Sequence, residues 1–204
     1  GSINLKHMVH EKYIDWPKLA KTVRIGVRFL DNVVSVNIYP TKDIEKICLA
    51  HRKIGLGIMG WADMLITLGI PYSSEKALRL AKELMVFIRK HAEETSERLA
   101  QEKGAFPAFK KSSLRKRRRN ATVVTVAPTG SISLIAGCSS SIEPLFGVSY
   151  VREALGGVEL FELNSQFEQM ARYQGFYSTA LMHTIAERGS IKGMKEIPTH
   201  IQEL

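Results

Sequence analysis

Five consecutive residues, Pro128-Thr129-Gly130-Ser131-Ile132, place a glycine and two hydroxyls directly after a β-branched run. That combination suits the holding of an anion. Gly130 has no Cβ, so the backbone can turn sharply there and an anion can approach the main chain. Thr129, Ser131 and Ser133 offer hydroxyl donors. A helix starting near Ser131 would add N–H groups with partial positive charge. The expected ligand is a phosphate. On residue types alone, an ordinary strand-to-helix connection with a Ser or Thr cap is the simpler account. The G-x-x-x-x-G-K spacing of a Walker loop is absent.

Other reactive residues are sparse. Cys48 and Cys138 are too few for a disulfide framework and lack metal-ligand spacing. The six histidines are scattered, and no metal site is expected. Cys48 shares a predicted helix face with Ile44 and Ile47, which reads as a buried structural thiol. Cys138 lies in a small-residue turn and reads as packing.

The elements around the loop follow from capping and period. Asp15 caps a helix whose first turn takes Pro17, and whose apolar positions include Leu19, Val23, Ile25, Val27, Leu30, Val33 and Val34. The stripe is wide, so burial over much of this helix is expected. Thr41 caps a short helix to about His51. Residues 61–68 form a helix stopped by Gly69 and Pro71. Ser73 or Ser74 caps a long amphipathic helix ending at Gly104. The period then changes: residues 121–127 (ATVVTVA) read as a buried strand. Segments 148–151 and 158–161 flank Gly156-Gly157 and suggest a hairpin. Helices near 165–173 and 178–188 follow. The pattern is helix-rich α/β.

The 204 residues suit one ordinary domain, and no apolar run is long enough to span a bilayer. With no signal pattern at the start, a cytoplasmic location is expected. The net charge of +9 is local, because residues 110–119 carry seven basic side chains, and removing them leaves +2. The chain starts at Gly1 without a methionine. That reads as a processed or trimmed chain, a split or intein-interrupted gene, or a cloning remnant at Gly1-Ser2.

Residues 119–133 (RNATVVTVAPTGSIS) and 136–144 (AGCSSSIEP) resemble the catalytic subunit of ribonucleotide reductases, most closely the adenosylcobalamin-dependent class. Residues 1–5 (GSINL) are similar to that family's C-N-L-G-S-I-N-L, entered three residues late, and residues 52–63 (RKIGLGIMGWAD) to its R-R-I-G-L-G-[IV]-M-G-x-A-D. The tail through Gly189-Ser190-Ile191 to Ile197-Pro198 fits as well, so the resemblance runs over essentially the whole chain. Only residues 110–119 look like a local elaboration. The resemblance implies the α/β fold of a ten-stranded reductase barrel, of which residues 1–204 would be a helix-rich part. It implies that Pro128, Thr129, Gly130, Ser131 and Ile132 bind the phosphates of a substrate nucleotide. It also implies adenosylcobalamin as cofactor in the complete enzyme and reduction of the ribose 2′-hydroxyl by a thiyl radical. Glu143, in the family's Glu-Pro, is a possible active-site neighbour; a turn or ion pair explains it equally. Arg119 and Asn120 are read as fixing the loop's geometry.

In the family the radical cysteine and a glutamate lie in an N-P-C-G-E segment, and a redox cysteine in C-N-L. None of these falls among residues 1–204, so no catalytic residue is assigned here. The expectation is an inactive isolated chain that needs a complementary chain bearing those cysteines. Allosteric sites and most dimer contacts of the family also lie upstream. Two alternatives stay open: a non-catalytic structural or regulatory remnant of a reductase gene, and a nucleic-acid-binding module using residues 110–119. No aromatic residue interrupts that basic run, which favours a solvated loop over a nucleic-acid contact.

Overall fold

Three segments far apart in sequence lie side by side and frame the loop. The computed structural model describes residues 1–145, 147–154 and 158–202. Strand β1 (Ser2–Asn4) runs parallel to β4 (Gly57–Met59), with Ile3 opposite Ile58. Neighbouring N–H groups in a strand point to opposite sides. Accordingly, Gly57 N–H donates to Gly1 O at 2.8 Å, while Leu56 N–H donates to Val123 O at 2.9 Å. β4 is thus held between β1 and the 122–125 segment. Gly55 fits because a Cβ there would lie 2.8 Å from Thr125 Cγ2.

The expected strand over 121–127 is reduced to one parallel bridge, Leu56 with Val124. Val123 is buried, but Val126 is 58% exposed. β-branched composition favours extended backbone, yet a ladder needs a partner strand at every step. The last bond of this segment to its neighbour runs from Thr125 N–H to Leu56 O at 3.2 Å.

The helices pack against this ladder because one face of each is apolar. Helix α1 (Trp16–Val36) buries Leu19, Val23 and Val27 against α4 (Glu75–Lys103), which contributes Leu84, Ile88 and Leu99. Each such side chain contributes about 1.5–3 kcal/mol by leaving water. Asp15 Oδ1 accepts the N–H of Lys18, and Ser74 Oγ that of Ala77, as their capping positions require. Helix α2 (Lys42–His51) is capped by Thr41, and α3 (Trp61–Leu68) ends at Gly69 with φ 65°. The expected burial of α1 is only one-sided. Ile25 and Phe29 are 60% and 65% exposed, and the Ile44 and Ile47 face of α2 also lies open, with Cys48 half-buried. No described element covers those stripes.

A short helix, α5 (Gly130–Ile135), follows the ladder. The hairpin of β5 (Ser149–Ala154) and β6 (Val158–Leu163) forms as expected; residues 155–157 between its strands lie outside the described residues. It leads into α6 (Ser165–Tyr173) and α7 (Thr179–Arg188), then the one-turn α8 (Thr199–Gln202). These form a second core of Phe167, Ala171, Met182, Ile185, Met194, Ile197 and Ile201. A small antiparallel pair, β2 (Val9–His10) and β3 (Tyr13–Ile14), was not anticipated. No helix among the described residues is long and apolar enough to cross a membrane.

Candidate functional site

The loop is shaped by Thr129. Its φ of 56° is left-handed, which is unusual for a β-branched residue. The sharp turn expected at Gly130 therefore falls one residue earlier. Gly130 is the first residue of α5, and a Cβ there would meet nothing within 4 Å. Its contribution is open access to the backbone, not the turn. Thr129 is buried, and its Oγ1 accepts the N–H of Ser141 at 2.7 Å. Pro128, Gly130, Ser131 and Ile132 are exposed. The first intrahelical bond of α5 runs from Ser133 N–H to Thr129 O at 2.9 Å, so Gly130, Ser131 and Ile132 precede the helical ladder. The loop thus presents backbone N–H groups and the Ser131 hydroxyl outward, on a base fixed by Thr129. Ser133, expected as a donor, is instead turned inward: its Oγ contacts Gly130 O at 3.1 Å and Ser140 Oγ at 2.9 Å.

The turn after α5 is fastened to the ladder. Asp63, buried in the first turn of α3, accepts the backbone N–H of Ser139 on Oδ2 and the Asn164 amide on Oδ1 at 3.2 Å. Gly60 N–H donates to Ser139 O at 2.7 Å. Gly60 itself has φ 76°, and a Cβ there would stand 2.8 Å from Asn4 Oδ1. One carboxylate therefore ties α3, the turn and the N-cap of α6 together.

Arg119 and Asn120 sit in a buried polar knot upstream of the loop. Asp31, fully buried in α1, accepts Arg52 Nε at 2.9 Å and Asn120 Nδ2 at 3.0 Å on Oδ1. Arg119 Nε reaches Oδ2 at 3.4 Å. Asn120 also donates to Arg52 O at 3.1 Å and accepts the Ser96 hydroxyl at 2.9 Å. Burial pushes the Asp31 carboxyl upward, but bonding to Arg52, its charge, the Asn120 amide and Arg119 outweigh this and hold it below the ordinary range. Helix α1, the residue that ends α2 and the 119–120 segment meet at this carboxylate, fixing where the 121–127 segment begins.

Behind α5 lies a cavity of about 330 Å³, lined by Cys138, Ser139, Ser140, Glu143, Tyr150 and Asn164 among others. Glu143 is exposed at its rim, and its N–H donates to Ser140 O at 2.8 Å. Burial, and next the charge of Asp63, push the Cys138 thiol up to about 11 despite Lys6. It is a neutral thiol near neutral pH, which suits packing and not nucleophilic attack. The basic run is partly neutralised: Arg118 pairs with Glu93 at 3.0 Å and Lys116 with Glu97 at 3.7 Å. Among the described residues, no group of three or more His, Cys, Asp or Glu is gathered for a metal ion.

The description of one family, ribonucleotide reductase barrel domain, matches residues 1–118 and 117–204. The chain belongs to the ribonucleotide reductase barrel-domain family. It is 48% identical over 199 residues to a vitamin B12-dependent ribonucleoside-diphosphate reductase of Thermoplasma acidophilum, covering 96% of this chain and 26% of the relative. A protein of the same name from Mycobacterium tuberculosis is 47% identical, covering 99% of this chain and 29% of the relative. The chain thus spans a little over a quarter of the length of these reductases. A class Id ribonucleotide reductase alpha subunit of Actinobacillus ureae superposes with a TM-score of 0.79 at 22% identity, covering 99% of this chain and 36% of that one. That likeness establishes the barrel-domain fold.

Asn4, Lys6, Asp31 and Asp63 were not singled out by sequence reasoning as holding the site. Asp31 carried a signal: it is a lone carboxylate among Leu30, Val33 and Val34. Asn4 and Lys6 carried none, because the carbonyls their side chains hold lie more than 130 residues away.

Proposed function

We propose that this chain supplies the substrate-phosphate loop of a ribonucleotide reductase, an oxidoreductase that converts ribonucleotides to deoxyribonucleotides by thiyl-radical chemistry. The observation that carries this reading is the division of labour at 128–132. Thr129 is spent on holding the loop, while Pro128, Gly130, Ser131 and Ile132 stay exposed. Backbone N–H groups beside a glycine with open space around it suit phosphate oxygens. The residues assigned to the phosphates are Pro128, Thr129, Gly130, Ser131 and Ile132, with Glu143 as a neighbour.

The catalytic cysteines and the base would come from complementary reductase sequence outside these 204 residues. Adenosylcobalamin, in keeping with the names of the relatives, would be the radical source of the complete, cytoplasmic enzyme.

The test is reconstitution. The chain is mixed with a polypeptide carrying the N-P-C-G-E and C-N-L segments, adenosylcobalamin, a ribonucleotide and a dithiol. Deoxyribonucleotide should form only in the mixture. A stable mixed complex that yields none, with the cofactor bound, would overturn the reading.

A further inference from the structure

The loop is also held from behind, by Asn4 at the end of β1 and by Lys6 in the turn that follows it. Asn4 Nδ2 donates to Ala136 O at 3.4 Å. Lys6 Nζ donates to Gly137 O at 3.0 Å and to Ser165 Oγ at 2.9 Å. The two are coupled, because Asn4 Oδ1 accepts the backbone N–H of Lys6 at 3.0 Å. Ala136 is the C-cap of α5 and Gly137 the residue after it, so both carbonyls lie at the helix end where unpaired C=O groups concentrate negative partial charge. An ammonium group there complements that charge. It also fixes the direction in which α5 points.

We propose that Asn4 and Lys6 are positioning residues for the phosphate loop. This rests on the reading of 128–132 as a phosphate site and deepens it. Six helical residues span about 9 Å, so Lys6 grips α5 at the end away from Gly130 and acts through the helix, not on the ligand. α5 needs such a grip. It is a single short helix with Ile132, Leu134 and Ile135 exposed, and little apolar burial fixes its axis. The grip joins β1, the loop and the start of α6 through Ser165. The aim of the loop is then set by the end of the strand that pairs with β4 and by the turn just after it.

Inorganic pyrophosphate is the probe, titrated calorimetrically into the 204-residue chain while the amide resonances of Gly130, Ser131 and Ile132 are followed. The wild type should bind and shift those resonances. Lys6→Met keeps the stem and removes the charge. It should weaken binding about tenfold or more and move the three resonances even without ligand, with the melting temperature nearly unchanged. Lys6→Arg should recover most of the affinity. Asn4→Asp keeps the acceptor for Lys6 N–H but loses the donor to Ala136 O, and should weaken binding likewise. Lys6→Met matching the wild type, or Lys6→Met and Lys6→Arg failing alike, overturns the proposal. Asn4→Asp matching the wild type removes Asn4 from it. A wild type that neither binds pyrophosphate nor shifts these resonances overturns the phosphate reading itself.

Discussion

The backbone N–H of Ser141 donates to Thr129 Oγ1 at 2.7 Å, and both residues have left-handed backbone, with φ of 45° and 56°. Such conformations cost about 1–3 kcal/mol each for residues with a side chain, and persist where the surroundings enforce them. The bond joins the entrance of α5 to the turn after its end, so each strained residue holds the other. Thr129→Val keeps the shape but removes the acceptor, leaving a buried N–H unpaired. It should cost about 1–3 kcal/mol in urea unfolding, while Thr129→Ser should stay near the wild type. Equal midpoints for the Val and Ser variants would show that the bond holds nothing.

The Asp31–Arg52 pair makes a stronger prediction, because both side chains are almost wholly buried. Asp31→Ala strands the Arg52 charge and should cost about 3–5 kcal/mol. The pair also sets an acid limit. The folded carboxyl titrates below its unfolded value, so its contribution is fully present above about pH 4 and is lost as pH falls through the lowered folded value. Stability measured from pH 7 down to pH 2 should fall below pH 4 in the wild type. The fall should be shallower in Asp31→Asn; parallel curves would exclude Asp31 as the source.

What could be read from sequence divides along the range of the interactions involved. Asp15, Thr41 and Ser74 cap helices by bonds to residues three positions on, and the helix starts they imply were legible. The 128–132 loop could also be located as a segment, because its residue types are contiguous. Its geometry was not legible. The turn at Thr129 depends on Ser141, and the aim of α5 on Asn4 and Lys6. The 121–127 strand was overread for a related reason, since β-branched residues report an extended backbone but not whether a partner lies alongside. The exposed Ile44–Ile47 face shows the same limit: periodicity finds an apolar face, not what covers it.

Cys138 should be slow to alkylate. With its thiol pushed up to about 11, roughly one molecule in a thousand carries the thiolate at pH 8. Iodoacetamide labelling read by peptide mass spectrometry should rise steeply between pH 8 and pH 10. Asp63→Asn removes the neighbouring negative charge and should raise the rate at pH 8. A rate at pH 8 typical of a free cysteine would contradict the structure around this thiol.

The open face of α1 gives the last prediction. Ile25, Phe29, Val33 and Val36 recur at helical spacing on the side turned away from α4, and Val36 is 77% exposed. A continuous apolar stripe of this kind marks a contact surface. Since the chain spans about a quarter of its reductase relatives, we expect complementary reductase sequence to cover it. Phe29→Asp with Val33→Asp changes side chains that lie outside the core of the isolated chain, so its melting temperature should hold. Binding to the complementary polypeptide, followed by calorimetry, should weaken by at least about 2 kcal/mol, the scale of an interface hot spot. The pairing matters because two acidic residues on a helix already facing water cost the fold little. Undiminished binding by the double variant would therefore mean that this face does not receive complementary reductase sequence.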